Sequence, residues 1–281
     1  MVAQEVTLHH GDLTLNANLQ LAPGKTLQQG VILITHGTLA HNTMELIASL
    51  QGSFASQGQN TLAINLSLGV DNRHGPYDCT VPHTHRHQDA ITEIGAWVDW
   101  LKKQGVNSVV LLGHSRGGNQ TAWFAAERLD PSVKAVILLS PMIWEPDTQA
   151  AAYQTRFHKP LAALLTQARG VEPTTLLSNV EFLYCASTTV QAGSVLSYYG
   201  DEPRFDTAHL LSRITVPTLV IAGELDTTIP DIPAKVANLT DHNARLVVII
   251  GADHFFRDLY GDEVAEASVA FLTQLASGAA P

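Results

Sequence analysis

The chain has 281 residues, a formal net charge of −10 and a composition, 45% hydrophobic and 15% charged, that is ordinary for a folded globular protein. This acidic balance argues against nucleic acid or an anionic membrane as a partner, because both are bound through an excess of Lys and Arg. No apolar run approaches the roughly 18 residues of a membrane-spanning helix. The first residues lack the basic start and the apolar stretch of a signal peptide, which favours the cytoplasm. A chain whose leader had been removed would look the same.

Strands and helices alternate in the first part of the chain. In order, the sequence predicts a hairpin at 5–8 and 13–19, a buried strand at 31–34, a helix between Asn42 and Gly58, a strand at 61–66 and a helix at 89–105. We expect Asn42 to cap its helix, with Glu45 in the first turn. The apolar stripe of this helix, which should face the core, consists of Leu46, Ile47, Leu50 and Phe54.

The alternation continues in the second part, with one long interruption. The predicted elements are a strand at 107–112, a helix from Arg116, strands at 133–139 and 218–222, a short helix at 231–239, a strand at 246–250 and a helix at 262–275. Residues 141–212 have helical stretches but no buried strand run, and about 70 residues are too many for a loop. We expect an α/β fold with a parallel sheet and helices on both faces. Residues 1–140 and 213–281 would form the core, and residues 141–212 a helical cap.

The hexapeptide at 113–118, Gly-His-Ser-Arg-Gly-Gly, is the most informative segment of the chain. It follows a strand and opens a helix, so that Ser115 lies on a very tight turn that lifts its hydroxyl above the sheet. Gly113 and Gly117 are needed because side chains there would collide with the helix or the neighbouring strand. The helix begins at Arg116 and directs backbone N–H groups to the same point, where they stabilise negative charge. An ordinary glycine-rich turn is the alternative, but the context favours the nucleophile of an acyl-transfer enzyme.

The partners of Ser115 should follow later strands, because ligands bind beyond the carboxyl ends of the strands in such sheets. Asp226 and His254 follow the last two predicted strands. His254 would take the proton of Ser115, while Asp226 would fix the imidazole tautomer and stabilise the imidazolium. Glu224 is the alternative to Asp226, and Asp253 is expected to form local hydrogen bonds.

The loop at 35–39, Thr-His-Gly-Thr-Leu, supplies the third part of the predicted site. It follows a strand and should face the serine turn across the sheet. We expect the backbone N–H of Thr38, or alternatively of Leu39, to form an oxyanion hole with the N–H of Arg116. His36 should anchor this loop by hydrogen bonds rather than act in catalysis.

Together these motifs resemble those of the α/β-hydrolase superfamily. The matching residues are His36-Gly37, the hexapeptide 113–118, Gly223-Glu-Leu-Asp226 with Pro230, and Gly251-Ala-Asp-His254. The resemblance covers nearly the whole chain, with 141–212 least well matched, and implies an eight-stranded, mostly parallel sheet with a lid after the sixth strand. Within the superfamily, the chain is similar to the lysophospholipase, serine aminopeptidase and dienelactone-hydrolase-like branches. The chain lacks the His-Gly-Gly-Gly stretch of the hormone-sensitive-lipase branch, which disfavours that subgroup.

Three histidines alternate in a loop at 71–87, which we call the histidine-rich loop. In an extended chain His83, His85 and His87 would lie on one side. They form a candidate zinc or copper site with neighbours that can also bind metal, namely His74, Asp78 and Cys79. Their spacing differs from that of structural zinc sites, so that no metal is assigned.

The favoured interpretation of the histidine-rich loop is a polar loop at the rim of the site. It leaves the carboxyl end of its strand, where ligands bind. Its histidines would cap the next helix, bond to the backbone or touch substrate. Arg73 and Arg86 are candidate partners of a substrate carboxylate, because a guanidinium matches the geometry of that group.

Two cysteines, Cys79 and Cys185, are too few for a disulfide framework. A single bridge between them would tie the histidine-rich loop to the predicted cap. Two reduced thiols are favoured over that bridge, because disulfides are rare in chains that look cytosolic.

The sequence predicts a serine hydrolase that acts on a small ester or thioester through an acyl-enzyme, without a cofactor. The same residues would serve a cofactorless perhydrolase, a C–C hydrolase or an amidase. A catalytically silent scaffold used for binding is disfavoured, because every residue of the predicted site is present. Aromatic residues of the cap could line an acyl pocket, although most should hold the cap on the sheet: Trp144, Tyr153, Phe157, Phe182, Tyr184, Tyr198 and Tyr199.

Overall fold

A central sheet of eight strands is the frame of the computed structural model, which describes residues 3–237 and 243–278. The strands are β1 (Gln4–His10), β2 (Leu13–Gln20), β3 (Val31–Thr35), β4 (Thr61–Asn65), β5 (Val109–His114), β6 (Val133–Leu139), β9 (Thr218–Gly223) and β10 (Ala244–Ile249), while β7 (Leu176–Phe182) and β8 (Cys185–Gln191) form a separate hairpin. The order across the sheet is β1-β2-β4-β3-β5-β6-β9-β10. The pairs β1–β2 and β2–β4 are antiparallel and the other pairs are parallel, which confirms the predicted sheet.

Helices cover both faces of the sheet, as predicted. They are α1 (Glu45–Ser56), α2 (Asp89–Lys103), α3 (Arg116–Glu127), α4 (Pro146–Phe157), α5 (Leu161–Arg169), α6 (Ala192–Tyr199), α7 (Thr207–Leu211), α8 (Ile232–Val236) and α9 (Tyr260–Ala276). Leu33 faces the core that contains α2 and α3, whereas Ile32 and Ile34 face the core that contains α1 and α9. This two-sided burial is why β3 is a continuous apolar run in the sequence.

The start of α1 differs from its prediction, and the predicted end of α8 cannot be compared with the described residues. Asn42 does not cap α1, because Met44 occupies the N-cap position and the Asn42 side chain donates a hydrogen bond to the carbonyl of Ala63 (3.3 Å). The apolar stripe predicted for α1 is buried, as expected. The helix predicted at 231–239 is present as α8, but its predicted end at Leu239 lies outside the described residues. In the described ranges, no helix combines the length and the apolar character that crossing a membrane requires.

The inserted segment, residues 141–212 between β6 and β9, contains strands as well as helices. The sequence predicts only helices there, and the hairpin β7–β8 corrects that expectation. Both strands have exposed polar positions between their buried ones, so that neither contains the apolar run by which a buried strand is recognised. The hairpin also pairs with the histidine-rich loop, since His83 N–H donates to Thr189 (2.8 Å) and Gln191 N–H donates to His83 (2.9 Å).

A disulfide joins Cys79 to Cys185, with a Cα–Cα distance of 5.6 Å. The expectation of two reduced thiols is therefore wrong. The histidine-rich loop runs beside β8, and the Thr188 hydroxyl donates to the carbonyl of Cys79 (2.7 Å). The two cysteines are 106 residues apart in sequence, and only the pairing of this loop with the inserted segment brings them together.

Candidate active site

Ser115 occupies the turn between β5 and α3, with φ 58° and ψ −124°. A Cβ on Gly113 would lie 2.4 Å from the carbonyl oxygen of Gly117, and a Cβ on Gly117 would lie 2.1 Å from that of His36. Both contacts are shorter than real Cβ contacts, which explains why glycine is required at these two positions. The backbone of Ser115 is held on both sides, because its N–H donates to Leu139 (2.9 Å) and its carbonyl accepts from Met142 (3.0 Å).

Three side chains from different strand ends form a continuous hydrogen-bonded chain. The Oγ of Ser115 lies 3.0 Å from Nε2 of His254, and Nδ1 of His254 lies 2.8 Å from Oδ2 of Asp226. The other carboxylate oxygen, Oδ1, accepts from the backbone N–H groups of Thr228 (2.8 Å) and Ile229 (2.9 Å). The structure thus brings together the three side chains that the sequence predicts as nucleophile, base and acid.

The environment of Asp226 favours its charged form. Burial by itself raises the pKa of this carboxyl, but the hydrogen bond from His254 and the backbone N–H of Ile229 outweigh burial and lower the pKa below its ordinary value. The carboxylate is therefore ionised at neutral pH and oriented by donors on both oxygens.

Two other carboxylates in these loops have separate partners. Glu224 is exposed and accepts a hydrogen bond from the N–H of Gly251 (3.0 Å), which links the loops that follow β9 and β10. Asp253 accepts from the N–H of Phe255 (2.9 Å) and forms an ion pair with Arg257 (3.0 Å). The local role expected for Asp253 agrees with these contacts, and Asp226 rather than Glu224 reaches the His254 ring.

The loop after β3 lies against the serine turn. His36 is buried, with Nδ1 2.9 Å from the carbonyl of Gly37 and Nε2 accepting from the N–H of Leu66 (3.1 Å). Burial, with a smaller contribution from Arg73, lowers the pKa of His36 to about 3, so that the ring is neutral and anchors the loop as expected. Thr38 and Arg116 line the same cavity as Ser115. Their role as oxyanion donors stays a prediction.

A cavity of about 510 Å³ opens above Ser115, between the core and the inserted segment. Of the seven aromatic residues considered for an acyl pocket, Tyr153, Phe157, Tyr184 and Tyr199 line this cavity. Trp144, Phe182 and Tyr198 instead pack against other rings, with Trp144 5.1 Å from Phe205 and Phe182 5.5 Å from Tyr198 between centroids. Four of the seven therefore line the cavity, whereas the sequence predicts that most of them only hold the inserted segment in place, and a role in an acyl pocket stays a prediction.

The alternating histidines lie in the interior and not at a rim. His83, His85 and His87 share one side of the chain, as predicted, but each is at most 1% exposed because the inserted segment covers them. Nδ1 of His83 is 3.0 Å from Nε2 of His85, and Nδ1 of His85 is 2.8 Å from the hydroxyl of Tyr198. Burial lowers the pKa of His83 to about 4 and that of His85 to about 3, so these rings are neutral.

The alternative of a metal site at this loop has no support from the geometry. Cys79 is in the disulfide, and His74 lies at the surface 2.8 Å from a carboxylate oxygen of Glu5. Across residues 3–237 and 243–278, no three metal-ligating side chains converge on a point where an ion would be held.

Arg73 is buried away from the cavity, which corrects its assignment as a partner of a substrate carboxylate. Its Nε donates to the carbonyl of Leu66 (2.8 Å), and its Nη2 donates to Ala40 (2.9 Å) and to Oδ1 of Asn65 (2.8 Å). Arg86 is exposed and is not part of the cavity wall. The histidine-rich loop starts at the edge of the sheet where the site lies, but neither of its two arginines lines the cavity.

Two contacts of the residues that flank Ser115 were not predicted from the sequence. Nε2 of His114 donates to the carbonyl of His254 (2.9 Å), which ties the loop of the predicted base to the end of β5. The side chain of Arg116 donates to the hydroxyl of Thr38 (3.0 Å), another residue of the cavity wall, whereas only the backbone N–H of Arg116 was considered. The sequence offered one signal for this contact, because Arg116 directly follows the predicted nucleophile and begins a helix.

Comparison with known proteins gives one family and many similar folds. The sequence profile described as Alpha/beta hydrolase family matches residues 31–267. Est1E from Butyrivibrio proteoclasticus is similar in structure, with a TM-score of 0.66 and 21% identity over 97% of this chain and 100% of the other, and a further structure of Est1E contains ferulic acid.

Two further solved structures are similar at comparable identity. A dienelactone hydrolase from Anabaena variabilis has a TM-score of 0.59 and 19% identity over 98% of this chain and 99% of the other. A monoacylglycerol lipase from Paleococcus ferrophilus has a TM-score of 0.61 and 19% identity over 92% of this chain and 98% of the other. Among curated proteins, none matches the chain significantly.

Proposed function

The chain belongs to the alpha/beta hydrolase family, and from this premise we propose that the enzyme is a serine hydrolase that cleaves a small ester or thioester through an acyl-enzyme intermediate. The observation that carries the proposal is the hydrogen-bonded chain from the Ser115 hydroxyl through His254 to Asp226, at the floor of an open cavity. Such a chain activates a hydroxyl that is otherwise a weak nucleophile.

The first half of the reaction transfers the acyl group to the protein. Nε2 of His254 takes the proton of Ser115 as the Oγ attacks the substrate carbonyl. The backbone N–H groups of Thr38 and Arg116 hold the oxyanion of the tetrahedral intermediate. His254 then gives its proton to the departing alkoxide or thiolate, and the acyl group stays on the Ser115 oxygen.

The second half releases the acid and restores the enzyme. His254 takes a proton from water, the resulting hydroxide attacks the acyl carbonyl, and the Ser115 oxygen leaves with the proton from Nε2. Throughout, Asp226 accepts from Nδ1–H of His254 and stabilises the imidazolium that forms in each half. The donors on Oδ1 support this role, because they hold the carboxylate while the charge on the ring changes.

The size of the cavity supports a small substrate. Its volume of about 510 Å³ lies within the range of roughly 300–1,000 Å³ that is usual for small-molecule sites. The inserted segment supplies much of the wall, including Tyr153, Leu183 and Tyr199, and we assign it as a cap over the site. The wall combines apolar side chains such as Ile143 and Leu183 with polar ones such as Thr148, which suits a substrate that has both an apolar and a polar part.

A fluorophosphonate probe tests the proposal, because it reacts only with an activated serine. We expect covalent labelling of the native protein at Ser115, no labelling of Ser115→Ala, and hydrolysis of at least one compound in a panel of p-nitrophenyl esters and acyl-CoA thioesters. Ser178→Ala, which changes a serine of the hairpin, is the matched control and should label normally. A native protein that neither labels nor hydrolyses the panel would be a binding scaffold, and the proposal would be wrong.

A further inference from the structure

Arg116 places a buried cation in the wall of the candidate active site. The residue is 9% exposed and lines the same cavity as Ser115. Its Nε–H donates to the hydroxyl of Thr38 (3.0 Å), and its Nη1–H points to Nδ1 of His87 (3.3 Å). Its guanidinium carbon lies 5.1 Å from the centroid of the Tyr198 ring.

All of these partners are neutral. Burial, followed by the charge of Arg116, lowers the pKa of His87 well below its ordinary value. The neutral ring donates from Nε2 to Oδ1 of Asn119 (3.1 Å), which leaves the Nδ1 lone pair for Arg116. The hydroxyl of Thr38 and the ring of Tyr198 carry no charge. Within the two described ranges, no Asp or Glu forms an ion pair with Arg116.

The Arg116 guanidinium is suited to an anion because, unlike that of Arg73, which donates to several carbonyl oxygens, it has hydrogen bonds to only two partners among the described residues. Buried charges are almost always paired, since an unpaired one loses its hydration without compensation. Of the five N–H donors of a guanidinium, Thr38 and His87 occupy one each. The remaining donors have no hydrogen-bond acceptor among the described residues, and Thr38, which accepts from Nε, lines the cavity together with Arg116.

The other charged groups around the cavity do not supply that anion. Glu145 forms an ion pair with Lys235, and Asp231 is exposed at the opening. Arg156, also exposed, adds a second guanidinium that donates to the carbonyl of Leu183 (3.1 Å) and stacks on the ring of Tyr184. The ionised carboxylate of Asp226, also near Ser115, is held by His254 and by backbone N–H groups and does not pair with Arg116.

We infer that Arg116 is an anion anchor, and that the substrate carries a carboxylate in addition to the ester or thioester that is cleaved. The inference rests on the proposed function and narrows its substrate class. A guanidinium binds a carboxylate through two parallel N–H···O bonds, which fixes orientation as well as adding affinity. The carboxylate would neutralise Arg116 and would place the reacting carbonyl over Ser115.

The test compares substrates that differ only in charge. Mono-p-nitrophenyl adipate and its terminal amide place the charge on the acyl side. The hexanoyl esters of para-hydroxybenzoic acid and para-hydroxybenzamide place it on the leaving group. Because Arg116 also holds Thr38, its replacement will lower all activities, and the ratio of kcat/KM between the members of a pair is the quantity that reports the anchor.

We expect the native enzyme to prefer the carboxylate member of at least one pair by about tenfold or more in kcat/KM, because a guanidinium forms stronger, charge-assisted hydrogen bonds with a carboxylate than with an amide. Arg116→Gln should bring that ratio close to one, and Arg116→Lys should retain part of it. Arg245→Gln, which removes an exposed arginine of β10, is the control and should leave the ratio unchanged. If the kcat/KM ratio between the charged and the neutral substrate is unchanged in Arg116→Gln but falls in Arg156→Gln, the carboxylate binds at Arg156. That result would overturn the inference.

A binding measurement separates this inference from the proposed function. In a Ser115→Ala background, monomethyl adipate should bind at least about tenfold more tightly when Arg116 is present than in the Arg116→Gln variant, by calorimetry. Equal affinities would overturn the anchor whether or not the enzyme hydrolyses esters. Labelling of Ser115 with equal cleavage of charged and neutral esters would leave the hydrolase intact and remove only the anchor.

Discussion

Replacing Asp226 with Asn should lower kcat by about 10⁴, by analogy with other Ser-His-Asp enzymes, which is about 5.4 kcal/mol of transition-state stabilisation. The structure gives the reason. Oδ1 of Asp226 is held by two backbone N–H groups, so an amide in its place must direct its oxygen to Thr228 and Ile229. Its NH₂ group then faces Nδ1 of His254, which becomes the acceptor. The proton moves to Nε2, and the ring can no longer take the proton of Ser115.

The assay is kcat for the best ester of the panel, with the unfolding midpoint measured in parallel to show that the variant is folded. Glu224→Gln is the matched control, since it removes a nearby exposed carboxylate whose hydrogen-bond partner, the N–H of Gly251, an amide oxygen still accepts. Exposed charges contribute within about 1 kcal/mol, so we expect less than about a fivefold loss. A larger loss in Glu224→Gln than in Asp226→Asn would refute the reasoning and exchange the two assignments.

Three further results are expected. Ser115→Ala and His254→Ala should each lower kcat by several orders of magnitude, and the double variant should lose little more, because the residues act as a unit. Replacing both Cys79 and Cys185 with Ser should lower the free energy of unfolding by about 2–5 kcal/mol in denaturant titrations. The free energy of unfolding should also fall as the pH is lowered from about 6.5 to about 4, because buried imidazoles such as that of His85 bind protons only in the unfolded chain.

Each of these three predictions has its own control or its own contrary outcome. Additive losses in the Ser115→Ala/His254→Ala variant would mean that another residue is the base. A reductant should destabilise the native protein but not the double cysteine variant, and equal stability of the two proteins would contradict the bridge. Glu93 contributes to the pH dependence of stability with the opposite sign, because burial raises its pKa to about 7. The buried histidines are more numerous, and their contribution therefore decides the direction of the change. A stability that rises from pH 6.5 to pH 4 would contradict the neutral interior.

Elements with a strong local pattern could be predicted from the sequence. β3 and β5 are apolar runs because both of their faces are buried, and the turn at Ser115 is marked by glycines that no other residue can replace there. The residues that approach Ser115 could be predicted as well. In a parallel sheet the strand ends lie at one edge, so the chain order of strands is enough to place Asp226 and His254.

Features that depend on contacts between distant segments could not be predicted. The hairpin β7–β8 has polar exposed positions, and its pairing with His83 is invisible in either sequence segment alone. The burial of the alternating histidines follows from the same contact, because the inserted segment covers a loop that would otherwise be a polar rim. Arg73 illustrates the limit most clearly, since a charged side chain inside a core requires specific carbonyl partners that only the fold provides.

The disulfide divides the candidate site into two covalently distinct parts. The bond between Cys79 and Cys185 closes the intervening chain into a ring, and that ring contains Ser115. Asp226 and His254 lie in the chain beyond it and are held at the serine by non-covalent contacts, among them the pairing of β9 with β6 and the hydrogen bond from His114 to the carbonyl of His254. The backbone is the one covalent link between the ring and the predicted acid and base, because the chain has no other cysteines. Local unfolding of the chain beyond β6 would therefore separate Ser115 from His254 while the ring stays closed.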